Sequence, residues 1–384
     1  MLNFTFKNTT EILFGEKQIQ AVKSRLPESA KVLLLYGGGS IKKNGVYADV
    51  LNVLEGSQFT EFSGVEPNPS FEHLMQAVEV AKRHDINFIL AVGGGSVIDG
   101  GKFIAAACLM DEDPWTLLTG ENEVRHALPV GAVLTLPATG SESNGNAVVT
   151  RKSSQQKRAF SSELVQPVFA VLDPCYTYSL PVRQVGNGVV DAFVHTIEQY
   201  LTYPVNAPLQ DRFAEGILST LLEEGPKALA NPTDYNVRAN IMWSATMALN
   251  GLIGKGVPQD WATHMIGHEL TALYNLDHAQ TLAIVLPHLM QVQKLQKHEK
   301  LLQLGKRVYG INGDSDDEIV EQCIVRTQQF FEDMGVPTHL RDYGLTADDG
   351  KAAIESLKGN GMNALGEHGD ITPLVASQIL QFAL

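Results

Sequence analysis

Short apolar runs alternate with helical patterns along the first half of the chain. Three of these runs have the length and continuous apolar character of buried strands, at Lys31–Tyr36, Asn87–Val92 and Gly131–Leu136. Between the first two, apolar residues recur at helical spacing from Phe71 onward, directly after Ser70, a residue type that favours the helix N-cap. Strand, polar turn and helix in this order predict a parallel α/β sheet, whose ligands bind beyond the carboxyl ends of the strands.

Helical periodicity dominates after about residue 185. Apolar positions three or four residues apart recur from Val190 to Leu201 and from Ile241 to Leu252, and strand-like runs become rare. The pattern predicts a Rossmann-like α/β domain over residues 1–183 and an all-helical domain over residues 184–384, with no long linker between them.

Two of the strand runs end in glycine-rich loops. Gly37–Ser40 and Gly93–Ser96 each contain three glycines followed by a serine. Residues without a Cβ let backbone N–H groups approach a phosphate, and a helix N-terminus beyond them adds a favourable dipole. Neither loop completes the G-x-G-x-x-G pattern, because Lys42 and Ile98 occupy the last glycine position. Two tight turns without a ligand are the alternative, but their place after neighbouring strands favours a nucleotide site.

The first loop indicates which nucleotide is bound. Ser40, Lys42 and Lys43 supply a hydroxyl and two cations, and the loop carries no carboxylate. A carboxylate would bind a free ribose 2′-OH and repel a 2′-phosphate, whereas cations do the reverse. The loop therefore predicts NADP(H), with solvated surface lysines as the alternative.

Histidines and one aspartate recur at metal-ligand spacing in the second half. Asp191 and His195 are four residues apart in an apolar helical pattern, so both leave the same helix face. His264 and His268 repeat that spacing, and His278 follows after a predicted loop. One carboxylate with imidazoles suits a borderline divalent ion such as zinc or iron(II). For any single histidine, a structural role is the alternative.

A zinc protease helix is excluded by the residues beside these histidines. The H-E-x-x-H motif needs glutamate where Met265 stands, and the inverted motif needs it where Gly267 stands. Glu269 comes after the second histidine, where it cannot act as the base of that motif.

Composition excludes several other classes of protein. The chain has 384 residues, 44% of them hydrophobic, and a net charge of −14, which argues against nucleic-acid and anionic-membrane partners. It has neither a long apolar segment nor a signal-peptide pattern at its start, so we expect a cytoplasmic protein with no membrane association. Three distant cysteines, Cys108, Cys175 and Cys323, indicate neither a disulfide framework nor a cysteine metal site.

Together these motifs resemble the iron-containing (group III) alcohol dehydrogenases over essentially the whole chain. The similarity is highest to the branch of NADPH-dependent aldehyde reductases and butanol dehydrogenases, through Tyr36–Ser40 and the runs around Trp261 and Asp277. The motifs that carry the resemblance are Gly93–Asp99, Leu136–Glu142, Asp191-x-x-x-His195, His264-x-x-x-His268 and His278-Ala279. One departure is Gly186, where a small aliphatic residue is usual, and we expect it to loosen the start of the Asp191 helix.

The resemblance implies a dinucleotide-binding domain, a helical metal-binding domain and an active site in the cleft between them. By position, Asp191, His195, His264 and His278 would hold one Fe²⁺ or Zn²⁺ ion, and His268 would lie near the nicotinamide as a catalytic residue. The adenosine end of NADPH would meet Gly38, Gly39 and Ser40, and its pyrophosphate Gly94, Gly95 and Ser96. Further cofactor contacts are implied at Gly37, Lys43, Asn68, Asp99, Thr135, Thr139, Asn144, Lys157 and Tyr176.

The expected reaction is hydride transfer between NADP(H) and a short or broad-range aldehyde or primary alcohol. Trp261, Met265, Ile266 and Leu270 near the metal motif favour a less polar substrate. The alternatives are an NAD-dependent glycerol or diol dehydrogenase, a lyase of the dehydroquinate-synthase type, and a non-enzymatic sensor of nucleotide or metal. Alternating Asn3–Phe6 predicts an edge strand that pairs with a second copy in a homodimer.

Overall fold

The computed structural model describes residues 1–384, which form two compact units. The α/β unit comprises Lys7–Leu180 and Thr233–Thr246. The helical unit comprises Met1–Phe6, Pro181–Pro232 and Met247–Leu384. A functional boundary between residues 183 and 184 stays a prediction.

A six-stranded parallel sheet forms the centre of the α/β unit. Its strand order is β1-β8-β5-β4-β2-β3, and a separate antiparallel hairpin pairs β6 with β7. The predicted parallel sheet is therefore confirmed, and all three predicted strands are present within one or two residues of their expected ends. The strands are β1 (Glu11–Phe14), β2 (Lys31–Tyr36), β3 (Gln58–Phe62), β4 (Phe88–Gly94), β5 (Val130–Leu136), β6 (Asn146–Arg151), β7 (Gln156–Ser161) and β8 (Phe169–Leu172).

Both faces of this sheet are buried, as continuous apolar strands require. Leu33 and Leu35 of β2 pack on one side in a core with Leu74. Leu34 packs on the other side in a core with Val50. The covering helices are α1 (Val46–Val53), α2 (Phe71–Arg83), α3 (Gly95–Ala107), the short α4 (Thr116–Thr119) and most of α7 (Tyr235–Leu249).

The connections between the strands create a switch point in the sheet. From β2 the chain passes outward to β3, and then crosses back to β4 on the other side of β2. Tyr36 and Val92 are register partners near the carboxyl ends of these two strands. A parallel sheet opens a ligand crevice where the strand order reverses. Both triple-glycine loops begin at this point.

Ser70 occupies the N-cap position of α2, but its side chain does not cap the helix. Its hydroxyl instead donates to Glu66 at 3.1 Å. The predicted helix is present, whereas the expected capping bond is replaced by this side-chain contact.

Eight helices account for the helical unit, apart from a short 3-10 turn at Leu340–Tyr343 and the last residues of α7. One core cluster joins Ile266, Val285, Leu357 and Ile379 from four of these helices. The helices are α5 (Val182–Tyr200), α6 (Pro208–Ala230), α8 (Ala262–Tyr274), α9 (His278–Val292), α10 (His298–Arg307), α11 (Asp316–Asp333), α12 (Ala347–Gly359) and α13 (Pro373–Phe382).

Gly186 brings α5 close to a neighbouring backbone. A Cβ at this position would lie 2.1 Å from the carbonyl oxygen of Met334, which no side chain tolerates. The helix runs unbroken from Val182 and is buried from Val185 to Tyr200. The expectation that Gly186 loosens the helix is therefore wrong, because the missing Cβ permits tight packing.

None of the helices combines the length and the apolar character that crossing a membrane requires.

Candidate functional site

Three helices of the helical unit bring one carboxylate and three imidazoles together. Asp191 and His195 lie on α5, one turn apart, and His264 lies on α8. His278 is the first residue of α9, after a loop at residues 275–277, as the sequence predicts. One potential ligand atom from each of the four residues lies within 4.8 Å of the others.

These four side chains are largely shielded from solvent. Asp191 and His195 each expose 5% of the side chain, whereas His278 exposes 23%. Asp191 Oδ1 lies 3.6 Å from His195 Nδ1 and 3.8 Å from His278 Nε2. The His195 and His264 rings are stacked with centroids 4.6 Å apart. His278 is therefore the most exposed member of the group.

The donor set fits a divalent cation. Zinc takes imidazole nitrogen and carboxylate oxygen at roughly 2.1 Å, which places tetrahedral donors about 3.4 Å apart. The separations in the cluster are of this size and a little larger. One carboxylate against a double positive charge leaves a net charge of about +1, and the same nitrogen and oxygen donors suit iron(II).

His268 lies outside this group of four. It is buried on α8, one turn beyond His264, and its ring centroid is 6.2 Å from that of His264 and 5.4 Å from that of His278. A fourth imidazole is thus adjacent to the cluster without belonging to it.

Two carboxylates satisfy the N-terminal N–H groups of α8. Asp260 Oδ1 accepts a hydrogen bond from Ala262 N at 2.8 Å. Glu198 Oε1, from α5, accepts from Thr263 N at 2.7 Å and more weakly from His264 N at 3.4 Å. Glu198 Oε2 makes a short contact with His264 Nδ1. The turn that carries His264 is therefore held to α5 through both its backbone and its ring.

A buried lysine offsets these acidic groups. Lys297 Nζ lies 2.7 Å from Asp260 Oδ2 and 2.9 Å from Glu367 Oε1, with side chains about 4% exposed. Burial lowers the pKa of Lys297, but the Asp260 and Glu367 carboxylates outweigh it and hold that pKa above its usual value. Burial, followed by repulsion from Asp260, raises the pKa of Glu198.

The start of α9 is fixed by Asp277. This residue forms a capping box with Gln280, which places His278 at the first helical position. Its Oδ2 also accepts a hydrogen bond from Asn187 Nδ2 of α5 at 2.8 Å. The third imidazole is consequently anchored to the helix that carries Asp191.

In the α/β unit, the first glycine loop follows β2, whereas the second glycine run forms no separate loop, because Gly93 and Gly94 end β4 and Gly95 begins α3. Nothing lies within 4 Å of a Cβ built on Gly38 or Gly39, and Gly39 has a positive φ of 94°. A Cβ on Gly95 would lie 2.3 Å from Thr139 Oγ1. The first loop therefore borders open space, whereas the second glycine run, at the N-terminus of α3, is closely packed.

The first glycine loop contains no carboxylate of its own, but the carboxylate of Glu61 lies beside it in space. Glu61 of β3 accepts hydrogen bonds from Tyr36 at 2.6 Å and Tyr47 at 2.8 Å. Lys42 Nζ lies 4.0 Å from Glu61 and over both tyrosine rings. Lys43 is exposed and forms no such ion pair. Of the two lysines, Lys43 is thus the one available to an anion.

A polar network holds the loop after β5. Lys102, fully buried on α3, donates to Ser141 Oγ at 2.8 Å and Asn144 Oδ1 at 3.1 Å. Ser141 in turn donates to Asp99 Oδ1 at 2.5 Å, and Val148 N donates to Asp99 Oδ2. Burial lowers the pKa of the Lys102 ammonium to about 8 and raises the pKa of Asp99, despite their mutual attraction.

The remaining predicted cofactor residues occupy the same unit. Asn68, with a positive φ of 54°, accepts a hydrogen bond from Lys157 Nζ at 2.9 Å. Tyr176 OH donates to Asp49 at 3.0 Å. Thr135 is buried near the end of β5. Gly37 follows β2 directly, and its Cβ position lies 3.1 Å from Val65 O.

Sequence reasoning assigned no role to Glu198, Glu61 or Lys102. Glu198 stands three residues after His195 in an apolar helix, and Lys102 interrupts the apolar run of α3. A charged residue on a buried helix face needs a partner, which is the signal that could have found both. No pattern in the sequence indicates that Glu61 lies beside the first glycine loop, because β3, the strand that carries Glu61, was not among the predicted strands.

Comparison with known proteins agrees with these observations. Residues 9–174 match the family of iron-containing alcohol dehydrogenases, and residues 186–371 match the C-terminal part of the same family. The NADPH-dependent aldehyde reductase YqhD of Escherichia coli K12 is 58% identical over 100% of both chains. Its crystal structure superposes with a TM-score of 0.98, covering 100% of this chain and 99% of that one. NADH-dependent butanol dehydrogenase A of Thermotoga maritima is 35% identical with a TM-score of 0.96, again covering 100% of this chain and 99% of its own. The chain therefore belongs to the family of iron-containing alcohol dehydrogenases.

Proposed function

We propose that this chain is a metal-dependent, NADPH-linked aldehyde reductase and alcohol dehydrogenase. The observation that carries the proposal is the convergence of Asp191, His195, His264 and His278, with donor atoms within 4.8 Å of one another. The 58% identical relative is named an NADPH-dependent aldehyde reductase, which supports the same reaction. The proposed functional domains are residues 1–183 for the cofactor and residues 184–384 for the metal.

The four converging side chains hold one Fe²⁺ or Zn²⁺ ion in this proposal. When bound, the ion supplies Lewis-acid polarisation of an aldehyde oxygen, and NADPH supplies the hydride. Asp191 provides the one negative charge among the four ligands, so the centre remains positive toward that oxygen. The three imidazoles keep a fixed geometry because α5, α8 and α9 are tied to one another through Glu198 and Asp277.

NADPH binds to the α/β unit along the carboxyl ends of its strands. Gly38, Gly39 and Ser40 receive the adenosine end, and Lys43 provides the cation for the 2′-phosphate. Gly94, Gly95 and Ser96 bind the pyrophosphate through backbone N–H groups at the N-terminus of α3. Further contacts are proposed for Gly37, Asn68, Asp99, Thr135, Thr139, Asn144, Lys157 and Tyr176.

The substrate is a short or broad-range aldehyde. Trp261, in a left-handed conformation with φ 63°, places its ring centroid 5.2 Å from that of His264. An indole at this distance offers an apolar wall, which favours an alkyl chain over a polyhydroxy substrate. His268 is proposed to pass a proton through water. Replacing it with alanine would then lower turnover without removing metal, and unchanged turnover would contradict that role.

A homodimer in the cytoplasm is the proposed setting. Met1–Phe6 form no strand within the chain, and Phe4 and Phe6 are 52% and 41% exposed. A second copy would cover these rings by pairing the two N-terminal segments. Light scattering would show a mass near 42 kDa if the protein were instead a monomer.

The direct test measures oxidation of NADPH and NADH with butanal. Each rate is taken before chelation, after it, and after addition of zinc or iron(II). The proposal predicts that chelation abolishes activity, that metal restores it and that NADPH is preferred. Faster reduction of NAD⁺ than of NADP⁺ with glycerol as the hydride donor would indicate the diol dehydrogenase alternative. Bound metal and nucleotide with no aldehyde turnover would favour a lyase or a sensor.

A further inference from the structure

We propose that Glu198 is a positioning residue of the metal centre, which fixes the ring of His264 so that Nε2 faces the ion. The inference rests on the proposed metal site. Glu198 Oε2 contacts His264 Nδ1, while Glu198 Oε1 is occupied by Thr263 N at 2.7 Å. Both residues are buried, with 2% and 7% of their side chains exposed.

The contact selects one tautomer of His264. A neutral imidazole carries a single N–H, and a carboxylate at Nδ1 accepts it. The lone pair of Nε2 is then left for a cation. Carboxylates that accept the second N–H of a metal-bound histidine typically increase metal affinity, and their loss weakens binding by about 10–100-fold.

The hydrogen bonds that Glu198 receives favour its carboxylate form, against burial and repulsion from Asp260, which disfavour that form. The backbone N–H groups of Thr263 and His264 donate to its Oε1, and its Oε2 lies against Nδ1 of the His264 ring. The acidic group that faces it is Asp260, whose Oδ2 lies 2.7 Å from Lys297 Nζ. Lys297 also lines the same small cavity as Glu198, and thus offsets negative charge beside it.

Glu198 also caps α8, so a purely structural role must be separated from the positioning role. Glu198→Gln does this, because the amide oxygen can still accept from Thr263 N. Its NH₂ group would then face His264 Nδ1 and would favour the tautomer with the proton on Nε2, which opposes metal binding.

Glu269→Gln is the matched control. Glu269 is a second buried carboxylate, on α8 itself, and accepts hydrogen bonds from Ser356 and from Asn360 at 3.0 Å. Its hydrogen bonds go to Ser356 and Asn360 and not to the ring of His264, so its replacement removes an equal charge, from the helix that carries His264, without changing the tautomer.

The test compares Zn²⁺ dissociation constants by competition with a chromophoric chelator. Thermal unfolding of the metal-free proteins and the visible spectrum of the Co²⁺-loaded proteins are recorded in parallel. We expect Glu198→Gln to weaken zinc binding about 10–100-fold and to alter the Co²⁺ spectrum, with Glu269→Gln within about threefold of the parent. Zinc affinity of Glu198→Gln within threefold of the parent would overturn the inference. A parent protein that binds no zinc would overturn the proposed metal site itself.

A measurement on the unmodified protein covers the case in which the variant does not fold. ¹⁵N-histidine spectra of the zinc-loaded parent report which nitrogen of His264 carries the proton, with Glu198→Asp or a His264 variant to assign the signal. We expect a hydrogen-bonded proton on Nδ1. A proton on Nε2 of His264 in the zinc-loaded protein would contradict the proposal.

Discussion

Two regions of the molecule are suited to charged ligands in different ways. The histidine cluster of the helical unit presents side chains, whereas the glycine loops of the α/β unit present backbone without side chains. Asp191 and three imidazoles converge in a buried group, where their donor atoms lie within 4.8 Å. At Gly38 and Gly39 nothing lies within 4 Å of a Cβ, so the space beside this stretch of backbone is open.

Because the two regions differ in this way, different contacts hold them in place. The cluster is supported by two side chains: Glu198 of α5 contacts the ring of His264 on α8, and Asp277 at the start of α9 accepts a hydrogen bond from Asn187 of α5. In the glycine loops it is the path of the backbone that must be fixed. The strand ends and the tight packing of Gly95 against Thr139 fix that path. A variant should therefore affect metal, cofactor or folding according to the region it changes.

The largest effect is expected from Asp191→Ala. This variant removes the only carboxylate of the four proposed ligands, so we expect loss of bound metal and a fall in turnover of at least about 10³-fold. Elemental analysis and NADPH fluorescence titration check it, because cofactor affinity should change little. Full metal content in the variant would contradict the assigned ligand set.

Gly95→Ala and Gly38→Ala form a matched pair within the glycine loops. A methyl group on Gly95 meets Thr139 Oγ1 at 2.3 Å, so we expect a loss of stability of about 1–3 kcal/mol as well as weaker NADPH binding. At Gly38 the methyl group meets nothing, and only NADPH binding should weaken. Denaturant unfolding and fluorescence titration separate the two effects. Equal unfolding free energies for both variants would count against the packing argument.

Lys43→Glu sharpens the cofactor assignment. Because Lys43 is exposed beside the open loop, we expect reversal of its charge to lower the ratio of kcat/KM for NADPH to that for NADH by about 10–100-fold. Lys42→Ala is the control, since Lys42 is held over Tyr36 and Tyr47 and should affect the ratio less. A larger change with Lys42→Ala would assign the phosphate to the other lysine.

A further effect is expected on the pH dependence of stability, through Lys102. Burial lowers its pKa to about 8, so between pH 8 and its usual value near 10.5 the unfolded chain binds more protons than the native protein. The contribution of Lys102 to the free energy of unfolding therefore rises with pH in this window and is constant below it. Urea unfolding at pH 7.5, 8.5 and 9.5 measures this rise, which we expect to be about 1–3 kcal/mol in the parent protein. In Lys102→Met the rise should be absent. An identical pH slope in both proteins would contradict the lowered pKa.

Local patterns in the sequence predict much of this fold and the candidate site. β2, β4 and β5 follow from continuous apolar runs, and the spacing of Asp191 and His195 follows from helical geometry. Each of these patterns is contained within a few consecutive residues of the chain. The family resemblance then orders the motifs, because it covers nearly the whole chain.

The supporting residues could not be predicted because their partners are distant in sequence. Glu198 meets His264 across 66 positions, and Lys102 meets Ser141 across 39. Glu61 reaches the first glycine loop only because β3 pairs with β2. Gly186 was interpreted as a departure from the family pattern, whereas its close approach to Met334 decides its effect. Such contacts depend on packing between elements, which no local pattern contains.

The central claim is that the two regions have separate roles. The metal site is needed for turnover, and the glycine loops bind the cofactor whether or not the metal is present. The most direct test titrates NADPH into the metal-free and zinc-loaded proteins by fluorescence and then adds butanal. We predict closely similar dissociation constants for NADPH in both proteins and turnover only in the loaded one. Equal turnover by the metal-free protein would contradict this division of roles.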